Sequence, residues 1–189
     1  MLKYLNFSEK VSLIYGSPAS GKSTLCLQIA ANNPGKIIYI DTENSFNIER
    51  VQQMNPLVQL ENIIVINAKR YSEQCKAITK LKTTKNISLI IIDSFTAHYR
   101  NKSPEEKKLF INRSFKKMLS EIKELNIQVI LTSQVYTDFK NQDHPIAVDL
   151  LKKLASYTIK LENRKGRILT IEQTGVKIPF IITNQGLES

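Results

Sequence analysis

The sequence has no tryptophan, two cysteines, two histidines and only 17 acidic residues in 189. Cys26 and Cys75 stand far apart with no C-x-x-C partner. That excludes a disulfide scaffold and a cysteine-based zinc centre, and it fits a reducing cytoplasm. His98 and His144 lack ligand spacing, so no metal is assigned to them. No apolar run approaches the roughly 18 residues of a membrane span. Lys3 and Glu9 interrupt the amino terminus, so no signal core is expected. Internal repeats, low-complexity tracts and Gly/Ser linkers are missing too, which reads as one domain over residues 1–189. Against the scarce acids stand 27 basic residues, for a net charge of +10. That balance favours a polyanionic partner. With 42% hydrophobic and 23% charged residues the chain is neither disordered nor fibrous.

What is present is an alternation of strand-like and helix-like segments, the pattern of a parallel α/β sheet. VSLIYG (11–16), KIIYID (36–41), IIVINA (63–68), ISLIIID (87–93) and IQVILTS (127–133) are β-branched runs. Their near-continuous hydrophobicity predicts strands covered on both faces. A helix is expected from Gly21 to about Ala31. Tyr71, Cys75 and Ile78 follow helical spacing, as do Ile111, Phe115, Met118, Leu119 and Ile122. The second set follows a Ser103-Pro104-Glu105-Glu106 start, with a cap, a first-turn proline and first-turn acids. Beyond residue 150, ASYTIKLE (155–162), RILTIEQ (167–173) and KIPFIITN (177–184) read as strands joined by turns. The expected layout is a mostly parallel, twisted sheet flanked by helices (about 11–138), followed by antiparallel strands (about 155–184).

One motif carries chemistry at every fixed position. Gly16-Ser17-Pro18-Ala19-Ser20-Gly21-Lys22-Ser23 matches G-x-x-x-x-G-K-[ST], with a strand before it and a helix after it. The glycines permit a tight turn whose backbone N–H groups form a concave anion nest. The helix behind it points its positive end at the phosphates. Lys22 has the reach for the β- and γ-phosphates, the Ser23 hydroxyl suits Mg²⁺, and Thr24 adds a hydroxyl for the α-phosphate. ATP with Mg²⁺ is the expected ligand.

Such a loop needs a second carboxylate at the end of a hydrophobic strand to help hold the metal ion. Asp93 follows Leu89-Ile90-Ile91-Ile92 and has that position. Asp41 and Glu43 follow another strand, and Glu43 is the candidate for orienting and deprotonating an attacking water. Gln134 is expected to end the fifth strand, where its amide would bond the γ-phosphate.

IYGSPASGKSTLCLQIA, YIDTENSFNIERV, LIIIDSFTAHYR and VILTSQVYTD together resemble the RecA/RadA recombinase family, most closely its archaeal RadB branch. Order and spacing agree through residues 11–138. The resemblance implies a RecA-like P-loop NTPase core using ATP and Mg²⁺. It implies Lys22 and Ser23 as phosphate and metal residues, Asp93 as the Walker B acid, Glu43 as the catalytic glutamate and Gln134 as the γ-phosphate sensor. Arg50 sits where family members stack an arginine on adenine, a geometry a planar guanidinium suits. The departures from the family pattern are equally specific. Asn44 replaces the glycine after D-T-E, Thr132-Ser133-Gln134 replaces T-N-Q, and Pro145-Ile146-Ala147-Val148 replaces Pro-x-Gly-Gly. MLKYLNFSEK has no Phe-x-x-Ala segment, and no helix-hairpin-helix domain is expected ahead of the core. An accessory paralogue is expected, rather than a filament-forming strand-exchange enzyme.

Residues 100–117 carry seven basic and two acidic side chains, and residues 150–167 six and one. Such clusters bind phosphates without reading sequence. Arg100, Lys102, Lys140, Arg164 and Lys165 are the candidate DNA contacts, with Tyr136 and Phe139 available to stack on single-stranded bases. A solvated helix face would show the same charge run. The expected function is a slow, DNA-linked ATPase in DNA repair and homologous recombination, partnering DNA and a recombinase or other repair protein. The competing reading is a nucleotide-switched protein-binding module with little hydrolysis. A third reading is a RecA-like ATPase of a signalling or clock type, or a small-molecule kinase; the lack of a recognisable lid and the Asp41-Thr42-Glu43 segment weigh against a kinase.

Overall fold

The computed structural model describes residues 1–7, 10–99, 114–137, 143–145, 148–163 and 166–189. The apolar runs form strands β1 (Val11–Gly16), β2 (Ile37–Asp41), β3 (Ile63–Asn67), β4 (Leu89–Asp93) and β5 (Gln128–Thr137). Between and after them lie helices α1 (Lys22–Asn32), α2 (Ile48–Met54), α3 (Tyr71–Leu81) and α4 (Lys116–Glu124). A short β6 (Asp143–Pro145) pairs antiparallel with β5, and α5 (Val148–Leu154) follows. The remaining strands are β7 (Tyr157–Glu162), β8 (Ile168–Ile171), β9 (Val176–Pro179), β10 (Ile181–Thr183) and β11 (Gly186–Glu188).

Among the described residues the main sheet has the order β3-β2-β4-β5-β1-β7-β8-β9. It is parallel from β3 through β7 and antiparallel from β8 on. Every residue of β1, β2 and β4 is buried, as their unbroken hydrophobicity requires. One face packs on α3, α4 and α5 through Leu13, Ile78, Phe95, Phe115 and Ile122. The other packs on α1, α2 and the C-terminal strands through Ile14, Leu25, Tyr39, Val51 and Phe180. Truncating a fully buried Leu or Ile in either layer to Ala costs about 2–5 kcal/mol.

Four expectations are corrected. IIVINA forms the edge strand β3, which touches both core layers but has no fully buried residue, with Ile64 45% exposed. Gln134 does not end β5, which continues to Thr137 because β6 supplies a partner for its last residues. ASYTIKLE joins the antiparallel strands only along its β8 edge. α5 lets the chain return so that β7 lies parallel to β1. KIPFIITN is two strands rather than one, broken at Phe180. That ring turns inward to 5% exposure, and β10 leaves the main sheet to pair with β11.

Candidate nucleotide site

Strand register decides which side chains share the carboxyl edge of the sheet. Gly16 on β1 lies beside Gln134 on β5 and Leu161 on β7. Asp41 on β2 lies beside Asp93 on β4. Ligands of open parallel sheets bind outside this edge.

The loop after β1 is shaped by close approach. A Cβ on Gly16 would collide with the Leu161 carbonyl oxygen and the Ser20 hydroxyl. Gly21 caps α1 at φ 104, a left-handed conformation that favours glycine. The largely buried Lys22 reaches back so that its Nζ donates to the carbonyls of Gly16 (3.1 Å) and Ser17 (2.8 Å). Over the loop lies a cavity of about 230 Å³, lined by residues 19–24 together with Glu43, Gln134 and Ile182. Gln134 Nε2 donates to Glu43 Oε2 at 3.5 Å, across 91 residues of sequence. Ala19, Ser20, Gly21, Lys22, Ser23, Thr24, Glu43 and Gln134 therefore meet in one cavity, with Gly16, Ser17 and Pro18 completing its loop.

Asp93 lies behind the lining and is 1% exposed. Its Oδ1 accepts from Thr132 Oγ1 (2.6 Å), and its Oδ2 from the Tyr39 hydroxyl (2.9 Å) and Ser45 Oγ (3.3 Å). Burial, and secondarily the Asp93 charge, push the Tyr39 phenol well above its ordinary range, so it stays a donor at neutral pH. Burial likewise pushes the Cys26 thiol up, with Asp93 adding and Lys22 opposing, so this cysteine is an inert core residue. Cys75 is only half-buried, with its Sγ 3.7 Å from Met118 Sδ.

Asp41 points into its own loop. Its Oδ1 accepts from the backbone N–H of Glu43 and Ser45, both at 3.1 Å, and its Oδ2 from that of Phe46 at 2.8 Å. These bonds fold the turn that carries Glu43 to the cavity. Asn44 sits in this turn at φ 56, a left-handed conformation that asparagine tolerates better than most residues with a side chain.

Arg50 lies on α2, whose N-cap Asn47 accepts from its backbone N–H at 2.7 Å. Its guanidinium donates to the Thr183 carbonyl, to the Asn184 carbonyl (3.2 Å) and side chain (3.1 Å), and to Gln53 (3.0 Å). The site thus brings it to the β10–β11 hairpin, on a cavity of about 290 Å³ that shares Ser23 and Thr24 with the first. The hairpin is held in turn by Gln28 on α1. Its amide donates to the Gln185 (3.1 Å) and Leu187 (3.3 Å) carbonyls and accepts from Leu187 N (3.1 Å). Ile182, Asp41 and Gln28 were not singled out by motif reasoning. Of these, Asp41 alone carries a local signal, as the acid that ends β2.

Of the DNA candidates, Arg100, Lys102, Lys140, Arg164 and Lys165 lie outside the described residues, as does Phe139, while Tyr136 is a residue of β5. His98 Nε2 is 2.9 Å from the Ala68 carbonyl oxygen.

The residues present fit a magnesium nucleotide. The buried Ser20 hydroxyl has no hydrogen-bond partner among the described residues, and it lines the cavity beside the Lys22 ammonium. The donor set is also of the right kind, because the Ser23 hydroxyl and the Asp93 carboxylate would offer oxygen ligands to a hard cation.

Sheet order, loop and strand-end carboxylates together define the class: a P-loop protein with a RecA-like core. Within it the chain belongs to the Rad51 family, which matches residues 7–176. It is 35% identical over 195 residues to the DNA repair and recombination protein RadB of Thermococcus sibiricus, covering 93% of this chain and 84% of that one. It is 34% identical over 196 residues to the RadB of Methanocaldococcus jannaschii, covering 94% and 92%. A crystal structure of the RadB recombinase superposes with a TM-score of 0.80 at 30% identity, covering 100% of this chain and 94% of that one. Among the described residues, no helix is long and apolar enough to cross a membrane.

Proposed function

We propose that this chain binds ATP with Mg²⁺ at the P-loop, hydrolyses it slowly, and serves DNA repair and homologous recombination as an accessory to a recombinase. The observation that carries the reading is the convergence of Lys22, Ser23, Glu43 and Gln134 on one cavity in a Rad51-family chain. The relatives named DNA repair and recombination proteins support the biological setting.

In this reading the loop amides and Lys22 hold the phosphates, and Ser23 holds Mg²⁺ with Asp93 behind it. The metal ion, when bound, neutralises charge developing on the phosphate oxygens. Glu43 orients a water for in-line attack and accepts its proton, while Gln134, bonded to Glu43, senses the γ-phosphate end. Turnover is slow because, among the described residues, no arginine lines the cavity to add the extra transition-state cation. The +10 charge supports nonspecific, phosphate-directed DNA contact, including single strands, through the basic segments around residues 100–117 and 150–167.

The test is ATP turnover and single-stranded DNA binding measured together over a salt series, for wild type, Lys22→Ala and Glu43→Gln. Expected are salt-weakened DNA binding in all three, loss of nucleotide binding in Lys22→Ala, and bound but unhydrolysed ATP in Glu43→Gln. DNA binding that is absent or insensitive to salt removes the repair reading. Wild-type protein that does not bind ATP removes the nucleotide reading.

A further inference from the structure

The three residues following Gly16 in the P-loop are hydrogen-bonded to residues at the two ends of the β7–β8 connection, Ser17 and Pro18 to Asn163 and Ala19 to Arg167. The Ser17 hydroxyl donates to Asn163 Oδ1 at 2.8 Å. Asn163 Nδ2 donates to the Pro18 carbonyl at 3.2 Å. Arg167 donates from a guanidinium nitrogen to the Ala19 carbonyl at 2.8 Å. Both anchors sit on fixed backbone. Asn163 directly follows β7, which lies alongside β1 in the register that pairs Leu161 with Gly16. Arg167 precedes β8, and its carbonyl accepts from Phe180 N at 3.0 Å.

The geometry points to Asn163 and Arg167 as positioning residues for the phosphate cradle, an inference that rests on the nucleotide reading of the P-loop. A peptide unit is planar, with its C=O and N–H on opposite sides. Drawing the Pro18 carbonyl toward Asn163 therefore turns the Ala19 N–H the other way. Drawing the Ala19 carbonyl toward Arg167 does the same for the Ser20 N–H, which meets the Ser17 carbonyl at 3.3 Å. Ala19 also has φ 57, a left-handed conformation that is sterically costly for a residue with a Cβ. Such a conformation persists only where its surroundings hold it. Here the two carbonyls flanking it are held from outside the loop by side chains about 145 residues away in sequence. An anion nest binds well when its amides are oriented before the ligand arrives, because the ordering is then not charged against binding. Neither anchor lines the cavity, so both act through the loop.

Calorimetric titration of the full chain with Mg-ATP and Mg-ADP, in wild type, Lys22→Ala, Asn163→Ala, Arg167→Ala and Arg167→Lys, tests this. Loss of one such hydrogen bond is expected to weaken both nucleotides about tenfold, with faster backbone amide exchange at Ser17, Ala19, Ser20 and Gly21 in the ligand-free variants. Arg167→Lys, which retains a cationic donor, should recover most of the affinity. Asn163→Ala changes no charge, so its loss of affinity separates loop positioning from simple attraction of the phosphates. Unfolding midpoints of the ligand-free variants should stay close to wild type. Wild-type affinity and unchanged loop exchange in both alanine variants would overturn the inference, as would losses that follow thermal stability with no rescue by lysine. If wild type binds no nucleotide and matches Lys22→Ala, the P-loop reading itself fails and this inference goes with it.

Discussion

Removing the Tyr39 hydroxyl (Tyr39→Phe) tests how the buried carboxylate at the end of β4 is held. Asp93 is 1% exposed and takes hydrogen bonds from three hydroxyls, of which that of Tyr39, at 2.9 Å, is the one from a fully buried aromatic. A hydrogen bond to a charged group contributes about 1.5–3 kcal/mol. Part of that is offset because the substituted ring no longer buries a hydroxyl, and its edge contact with Phe46 at 5.0 Å survives. A net loss of about 1–2 kcal/mol is expected at pH 7, lowering the melting temperature by about 2–8 °C for a domain of this size. Urea unfolding at a series of pH values is the assay, with Asp93→Asn as the second arm of a double-mutant cycle.

The pH dependence has a definite sign. The folded phenol titrates above its ordinary value of 10.0, so its contribution is complete below pH 10 and is lost as pH rises toward the folded value. Wild type should therefore lose stability above pH 10 faster than Tyr39→Phe, and the gap between them should close. Cys26 causes a similar alkaline loss from its own ordinary value of 9.0, but equally in both proteins. The Asp93→Asn background should reduce the cost of the tyrosine substitution. Equal stability of the two proteins at pH 7, or parallel curves through pH 11, would refute the reasoning.

Gly16→Ala places a methyl group against the Leu161 carbonyl, which belongs to backbone and cannot rotate away. Differential scanning calorimetry should show a loss of about 1–3 kcal/mol, with weakened Mg-ATP binding. Gln28→Leu strands the Leu187 N–H and carbonyl in a buried place. It should cost about 1–3 kcal/mol and speed amide exchange across residues 181–188, whereas unchanged exchange there would mean that α1 does not hold the hairpin. Glu43→Gln should retain Mg-ATP affinity while steady-state turnover falls by a factor of about 10² or more.

Local patterns reached a definite set of features, for a physical reason. β1, β2 and β4 declare themselves because burial on both faces demands unbroken apolar runs. The P-loop declares itself because a backbone anion nest followed by a helix start uses eight consecutive residues. α2 escaped the periodicity reading because seven residues barely complete two turns, although Asn47 at its cap and Glu49 in its first turn were visible signals. α5 escaped for the same reason, and with it the parallel placement of β7.

The sequence alone determined the class of fold, the phosphate loop and the strand-end acids, since each is encoded within a dozen neighbouring residues. Only the tertiary structure decided that Gln134 faces Glu43, that Arg50 is held by Thr183 and Asn184, and that Asn163 and Arg167 grip the loop after Gly16. Those contacts span about 90 to 150 residues of chain, and they depend on strand order and register, which no local composition records.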